Sequence, residues 1–105
     1  MASSALRTIG RFAWNAWAGA SLTSNVVHHN GTGVGSDAGI YTTINTVLIG
    51  NTATDNLSGG LEVGAGSGYA NNVVNGNHGG NASQQVYGNP LQTGTNVCGG
   101  DTTCP

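Results

Sequence analysis

An all-β coil, in which short parallel strands stack turn upon turn around one apolar core, is the fold class this sequence predicts. Three observations carry that expectation. The stretch from Ile40 to Asn81 repeats itself: Gly39-Ile40 recurs 21 residues later as Gly60-Leu61, and Gly50-Asn51-Thr52-Ala53-Thr54-Asp55-Asn56 falls on Asn71-Asn72-Val73-Val74-Asn75-Gly76-Asn77. Composition is the second, with 19 glycines, 2 prolines, no lysine and abundant Asn and Thr in 105 residues, a poor mixture for helices. The third is low charge, 4 acids and 2 arginines, combined with spaced Val and Ile, which separates the chain from disordered sequences. Glycine does not recur at every third position, so a collagen-like triple helix is excluded. A chain this short holds one domain with a modest core.

Residues 1–20 differ from the rest and form the first of two segments. A helix from about Ser4 would place Leu6, Ile9, Ala13 and Trp17 on one apolar stripe, with Arg7 and Arg11 one turn apart and Ser3 or Ser4 as its cap. Three readings of this segment stay open: an amphipathic helical cap over one end of the coil, a targeting presequence, or a leader outside the fold. Trp14 and Trp17 are the residues expected in the cap or in a self-association contact. Residues 21–105 form the second segment, the repeat domain.

Within it, residues 21–38 are a partial first copy. Ser24-Asn25-Val26-Val27-His28-His29-Asn30 matches Asn71 to Asn77, and the offset of 26 between Asn25 and Asn51 leaves five extra residues for the glycine-rich loop 31–39. Residues 39–59 carry the β-prone runs Ile40-Tyr41-Thr42 and Val47-Leu48-Ile49. In the next copy Leu61-Glu62-Val63 replaces the first run, and Gly64-Ala65-Gly66-Ser67-Gly68 is expected to be a turn. Residues 78–105 form a decayed last copy, in which Thr95-Asn96-Val97-Cys98 matches Asn71 to Val74 at an offset of 24 and Val86-Tyr87 is a short strand. Strands this short suit a coil rather than free-standing hairpins.

In such a coil, equivalent residues of successive turns lie about 4.8 Å apart. Inward Val, Ile, Leu and Ala stack in files, and Asn at the corners stacks as a ladder of side-chain amides. One predicted ladder is Asn25, Asn51, Asn72 and Asn96; a second corner file is Asn30, Asn56 and Asn77. Asparagine suits corners because it tolerates left-handed backbone angles.

The motifs Gly50-Asn51-Thr52-Ala53-Thr54-Asp55-Asn56 and Gly59-Gly60-Leu61-Glu62-Val63-Gly64, with Asn96-Val97-Cys98-Gly99-Gly100-Asp101-Thr102-Thr103-Cys104-Pro105 at the end, resemble the right-handed parallel β-helix repeat proteins of the pectin-lyase-like superfamily. The resemblance covers roughly residues 22–105 and implies a right-handed coil of about four turns. That superfamily includes polysaccharide lyases and hydrolases, phage tail spikes, adhesins and surface proteins without catalysis. Its members usually have many more turns, so the chain resembles a minimal version or the C-terminal portion of one.

Lyases of this kind generally use Ca²⁺ held by several carboxylates with an Arg or Lys base, and hydrolases use grouped aspartates. The acids here are Asp37, Asp55, Glu62 and Asp101, and no arginine follows Arg11. Asp55 and Glu62 are the least poor catalytic pair, since a glycosidase needs two carboxyls about 5 to 9 Å apart; without repeated acids around them, solvated surface acids are the favoured reading. His28 and His29 would point to opposite faces of a strand, which excludes them as a paired metal site, and no cofactor is expected. Tyr41, Tyr69 and Tyr87 offer rings that stack on sugars, although they do not align at the repeat period. A Thr-based ice-binding plane is disfavoured because Thr42 and Thr43 face Val63 and Gly64 in the next copy.

The function expected is therefore a non-catalytic structural, adhesive or surface repeat module with a polysaccharide or cell-surface glycan as partner. A fragment or relative of a polysaccharide lyase or hydrolase is the alternative. The formal charge of −2, with both arginines near the N-terminus, argues against nucleic acid, and no apolar run is long enough to span a bilayer. Open coil ends favour pairing between copies, so a homo-oligomer is expected through those ends or the N-terminal segment. Cys98 and Cys104 form either a local disulfide, which fits an extracellular or cell-surface setting, or two free thiols.

Overall fold

The computed structural model describes residues 5–6, 14–16, 18–30, 38–80, 85–99 and 104. These build an all-β fold from two parallel sheets. The five-stranded sheet contains β1 (Ala5–Leu6), β4 (Val26–His28), β7 (Thr52–Thr54), β9 (Val73–Asn75) and β11 (Val97–Cys98), in that order. The six-stranded sheet contains β2 (Trp14–Ala16), β5 (Ala38–Thr42), β8 (Gly59–Ala70), β6 (Val47–Ile49) and β3 (Ser21–Thr23), with β10 (Val86–Gln92) on the far side of β8.

The register is that of a solenoid-like arrangement. Val26 pairs with Thr52, Thr52 with Val73, and Val73 with Val97. Trp14 pairs with Ile40, Ile40 with Leu61, and Leu61 with Val86. Ser21 pairs with Val47, Val47 with Gly68, and Gly68 with Leu91. Each repeat thus contributes one segment to the first sheet and two to the second, separated by three corners.

Alternation within the short strands decides what is buried. Leu22, Leu48 and Tyr69 form one inward file, Val27, Ala53, Val74 and Cys98 a second, and Ile40, Leu61 and Val86 a third, and all belong to a single core cluster. Complete burial of a Leu, Ile or Val side chain contributes about 1.5 to 3 kcal/mol, before the entropy of ordering the chain is counted. Cys98 is joined to Cys104, with 5.4 Å between their Cα atoms, and Cys104 packs against the core at its last turn.

Two local expectations are corrected. Ala5–Leu6 and Trp14–Ala16 are strands rather than parts of a helix, because their backbones pair parallel to β4 and β5 and so extend both sheets by one turn. A pairing strand already waits on each sheet, and that tertiary partner outweighs a helical stripe in isolated sequence. Ser3, Ser4, Ile9, Ala13 and Trp17 lie outside the described residues. Gly64 to Gly68 is likewise part of the twelve-residue strand β8. The strand pairs with β5 as far as Glu62, with β6 from Gly68, and with β10 through Val63 and again from Ser67, and between these pairings the corner survives as a left-handed bend at Gly66, where φ is +73°.

Candidate functional site

The corners set where the outward side chains lie. Except at Asn96, which follows Thr95, each ladder corner pairs a left-handed residue with a buried polar one. Ser24, Gly50 and Asn71 have φ of 57°, 68° and 56°, and each precedes a ladder asparagine. His29, Asp55 and Gly76, at 57°, 53° and 68°, do the same at the second corner. Asn45 and Gly66 complete the pattern at a third corner, ahead of Thr46 and Ser67.

The buried partners form hydrogen-bonded files. The backbone N–H and Nδ2 of Asn25 both donate to Asn51 Oδ1, at 3.0 Å each. Asn51 donates in the same way to Asn72, and Asn72 to Asn96. At the second corner Asn30 donates to Asn56 and Asn56 to Asn77. Asn77 then donates to Gln85 Oε1, which ends the file. Gln85 carries no repeat signal, because it follows Asn77 by only eight residues across a 3-10 turn at Asn77–Gly80. The third corner has a hydroxyl version, in which Thr46 N–H and Oγ1 both meet Ser67 Oγ at 2.9 Å. Thr46 and Ser67 stand 21 residues apart, so the repeat offset is the signal that marks this corner, although neither is an asparagine.

Outward residues of the six-stranded sheet carry the surface chemistry. Asn15, Tyr41, Glu62 and Tyr87 occupy successive register positions on β2, β5, β8 and β10. Since Ile40, Leu61 and Val86 face the core, Tyr41, Glu62 and Tyr87 face outward and are half-buried. Beside Tyr41 and Glu62 lies an open groove of about 310 Å³, lined by these two with Thr43, Ile44, Gly64 and Gly88 among others. Ile44 is 51% exposed on its rim. Two of the lining glycines allow close approach of neighbouring backbones: a Cβ at Gly64 would run into Thr43 O, and one at Gly88 into Val63 O. The arrangement offers an aromatic face and a carboxylate to a ligand rich in hydroxyls.

The other candidate residues are dispersed. Glu62 lines this groove, whereas Asp55 sits exposed at the second corner with its carboxylate over Gly76 and is not among the lining residues. Tyr69 is fully buried against the core and so presents no ring to a ligand, and its burial raises the phenol pKa above the ordinary value of 10.0. The Tyr87 ring lies over Gly59, away from the groove. Trp14 holds the register position opposite Ile40, and Trp17, Asp37 and Asp101 lie outside the described residues.

The expectation that His28 and His29 diverge is also corrected. Strand β4 ends at His28, and the left-handed backbone of His29 breaks the alternation, so the two Nδ1 atoms meet at 2.8 Å. No family model, no curated protein and no solved structure matches this chain.

Proposed function

We propose that the chain is a non-catalytic structural, adhesive or surface module that holds a glycan in the groove beside Tyr41 and Glu62. The scaffold in this reading is a short right-handed parallel β-helix of the pectin-lyase-like kind. One observation carries it: an aromatic ring and a carboxylate one register step apart flank an open groove of about 310 Å³. A sugar ring presents an apolar C–H face to such a tyrosine and hydroxyl donors to such a carboxylate. The disulfide supports an extracellular or cell-surface setting.

A glycan array followed by affinity measurement on the best binder tests the reading. Tyr41→Ala should weaken retention by about fivefold or more, corresponding to loss of roughly 1 kcal/mol of ring contact. Bound glycan should be recovered intact. Release of shortened product from pectin or another uronic-acid polymer, abolished by Glu62→Gln or Asp55→Asn, would overturn the proposal in favour of an enzyme.

A further inference from the structure

The second corner of the first described turn holds a feature that glycan binding leaves unused. His28 and His29 bring their Nδ1 atoms to 2.8 Å, with ring centroids 5.1 Å apart and planes at 80°. Adjacent residues in a strand face opposite ways. Here the chain leaves the strand between them, and the left-handed φ of 57° at His29 swings its ring back beside that of His28. The conformation is held from below: Asn30, the next residue, is fully buried and donates to Asn56 Oδ1, and its Nδ2 also donates to His28 O at 3.0 Å. A buried ladder thus fixes the backbone on which two solvent-accessible imidazoles converge.

We propose that His28 and His29 form a two-nitrogen chelate for a divalent transition metal, Cu²⁺ or Ni²⁺ in preference to Zn²⁺. The affinity order of nitrogen sites, in which Cu²⁺ stands above Zn²⁺, decides the class of ion, and the separation of the nitrogens is compatible with it. With metal–nitrogen bonds of about 2.0 to 2.1 Å, nitrogens 2.8 Å apart subtend roughly 85° to 90° at the metal. That is the angle between neighbouring ligands in square-planar or octahedral coordination, which Cu²⁺ and Ni²⁺ adopt with imidazole. A tetrahedral Zn²⁺ site needs nitrogens roughly 3.3 Å apart. Before the ion binds, one Nδ1 carries a proton and the other accepts it. Binding moves that proton to the Nε2 of the same ring, so both Nδ1 lone pairs are delivered without net proton release. The present contact is a hydrogen bond with one Nδ1–H aimed at the other ring, so both rings turn about χ2, a soft torsion for histidine, before the two lone pairs converge on an ion. No set of three or more His, Cys, Asp or Glu side chains is gathered around a common point among the described residues, so water completes the coordination.

The test is titration of the untagged full chain with Cu²⁺ by calorimetry, together with electron paramagnetic resonance to count nitrogen ligands. One tight Cu²⁺ per chain with two imidazole nitrogens is expected. His28→Ala and His29→Gly should each weaken it by at least about tenfold, since either change turns a chelate into a single-point contact. Glycine adopts the left-handed angle at residue 29 without strain, and His29→Asn provides a second variant that tolerates it. His78→Ala, two turns along the same corner and not gathered with the pair, should leave affinity unchanged. Thermal melts of each metal-free variant must match the wild type before affinities are compared. Unchanged Cu²⁺ affinity in His28→Ala and in both residue-29 variants, or a spectrum with a single imidazole nitrogen in the wild-type complex, would overturn the proposal.

Discussion

At the scale of single residues, the corner asparagines do two jobs at once. Asn51 accepts two donors from Asn25, and its own amide reaches both Asn72 Oδ1 and Leu22 O. The side chain is buried, so each of these groups has exchanged water for one specific neighbour. Asn51→Leu keeps the volume but removes the acceptor, leaving the backbone N–H of Asn25 buried and unbonded. Loss of roughly 2 to 4 kcal/mol is expected, read as a lower urea midpoint at unchanged slope. A midpoint within error of wild type would show that water replaces the amide. The left-handed residue ahead of Asn25, Asn51, Asn72, Asn30, Asn56 and Asn77 explains the mixed sequence there. Gly76 lacks a Cβ where Asp55 Oδ1 lies, whereas Ser24, His29 and Asn71 adopt the same angle and carry side chains outward.

At the scale of elements, β8 organises the molecule. It is paired along its first half with β5, along its second half with β6, and on its other side with β10. Its inward residues Leu61, Val63 and Tyr69 join the core, while Glu62 faces the groove. Tyr69 gives this packing a pH signature. Its folded pKa is raised by desolvation, so the unfolded phenol ionises first as pH climbs past 10.0. The contribution of its burial is fully present below that pH and is lost as pH rises through the higher folded value. Urea midpoints taken from about pH 9 to 11 should fall for the wild type more steeply than for Tyr69→Phe, which has no proton to lose. Parallel slopes for the two proteins would remove Tyr69 as the cause.

At the scale of the whole molecule, the two ends are built differently. The last turn is closed by the disulfide, by Gln85 at the end of one ladder, and by Gln92 Oε1, which accepts from Asn96 Nδ2 at the end of another. At the other end of the Asn96 ladder Asn25 Oδ1 is buried with no hydrogen-bond partner among the described residues. Cys98 and Cys104 are six residues apart, so their bond closes a small loop and is worth about 2 kcal/mol through the entropy of the unfolded chain. Cys104→Ser in combination with Cys98→Ala should lower stability by about that amount while leaving the two-sheet fold intact by circular dichroism. Collapse of the β signal would mean that the disulfide holds the fold rather than trimming its end.

The sequence by itself determined the all-β class and the parallel stacking, and it marks the asparagine pairs of two corners, because a coil brings residues one repeat apart into register and so writes its contacts as a period. Asn25 with Asn51, Asn72 with Asn96 and Ile40 with Leu61 are legible as offsets for that reason. What carries no period was decided only by tertiary structure. Ala5–Leu6 and Trp14–Ala16 became strands because open sheet edges were there to receive them. Gln85 entered a ladder from eight residues away, Tyr69 turned inward beside Leu48, and a left-handed angle brought His28 and His29 together. The groove is of the same kind, since Tyr41 and Glu62 become neighbours through strand register rather than through proximity in the chain.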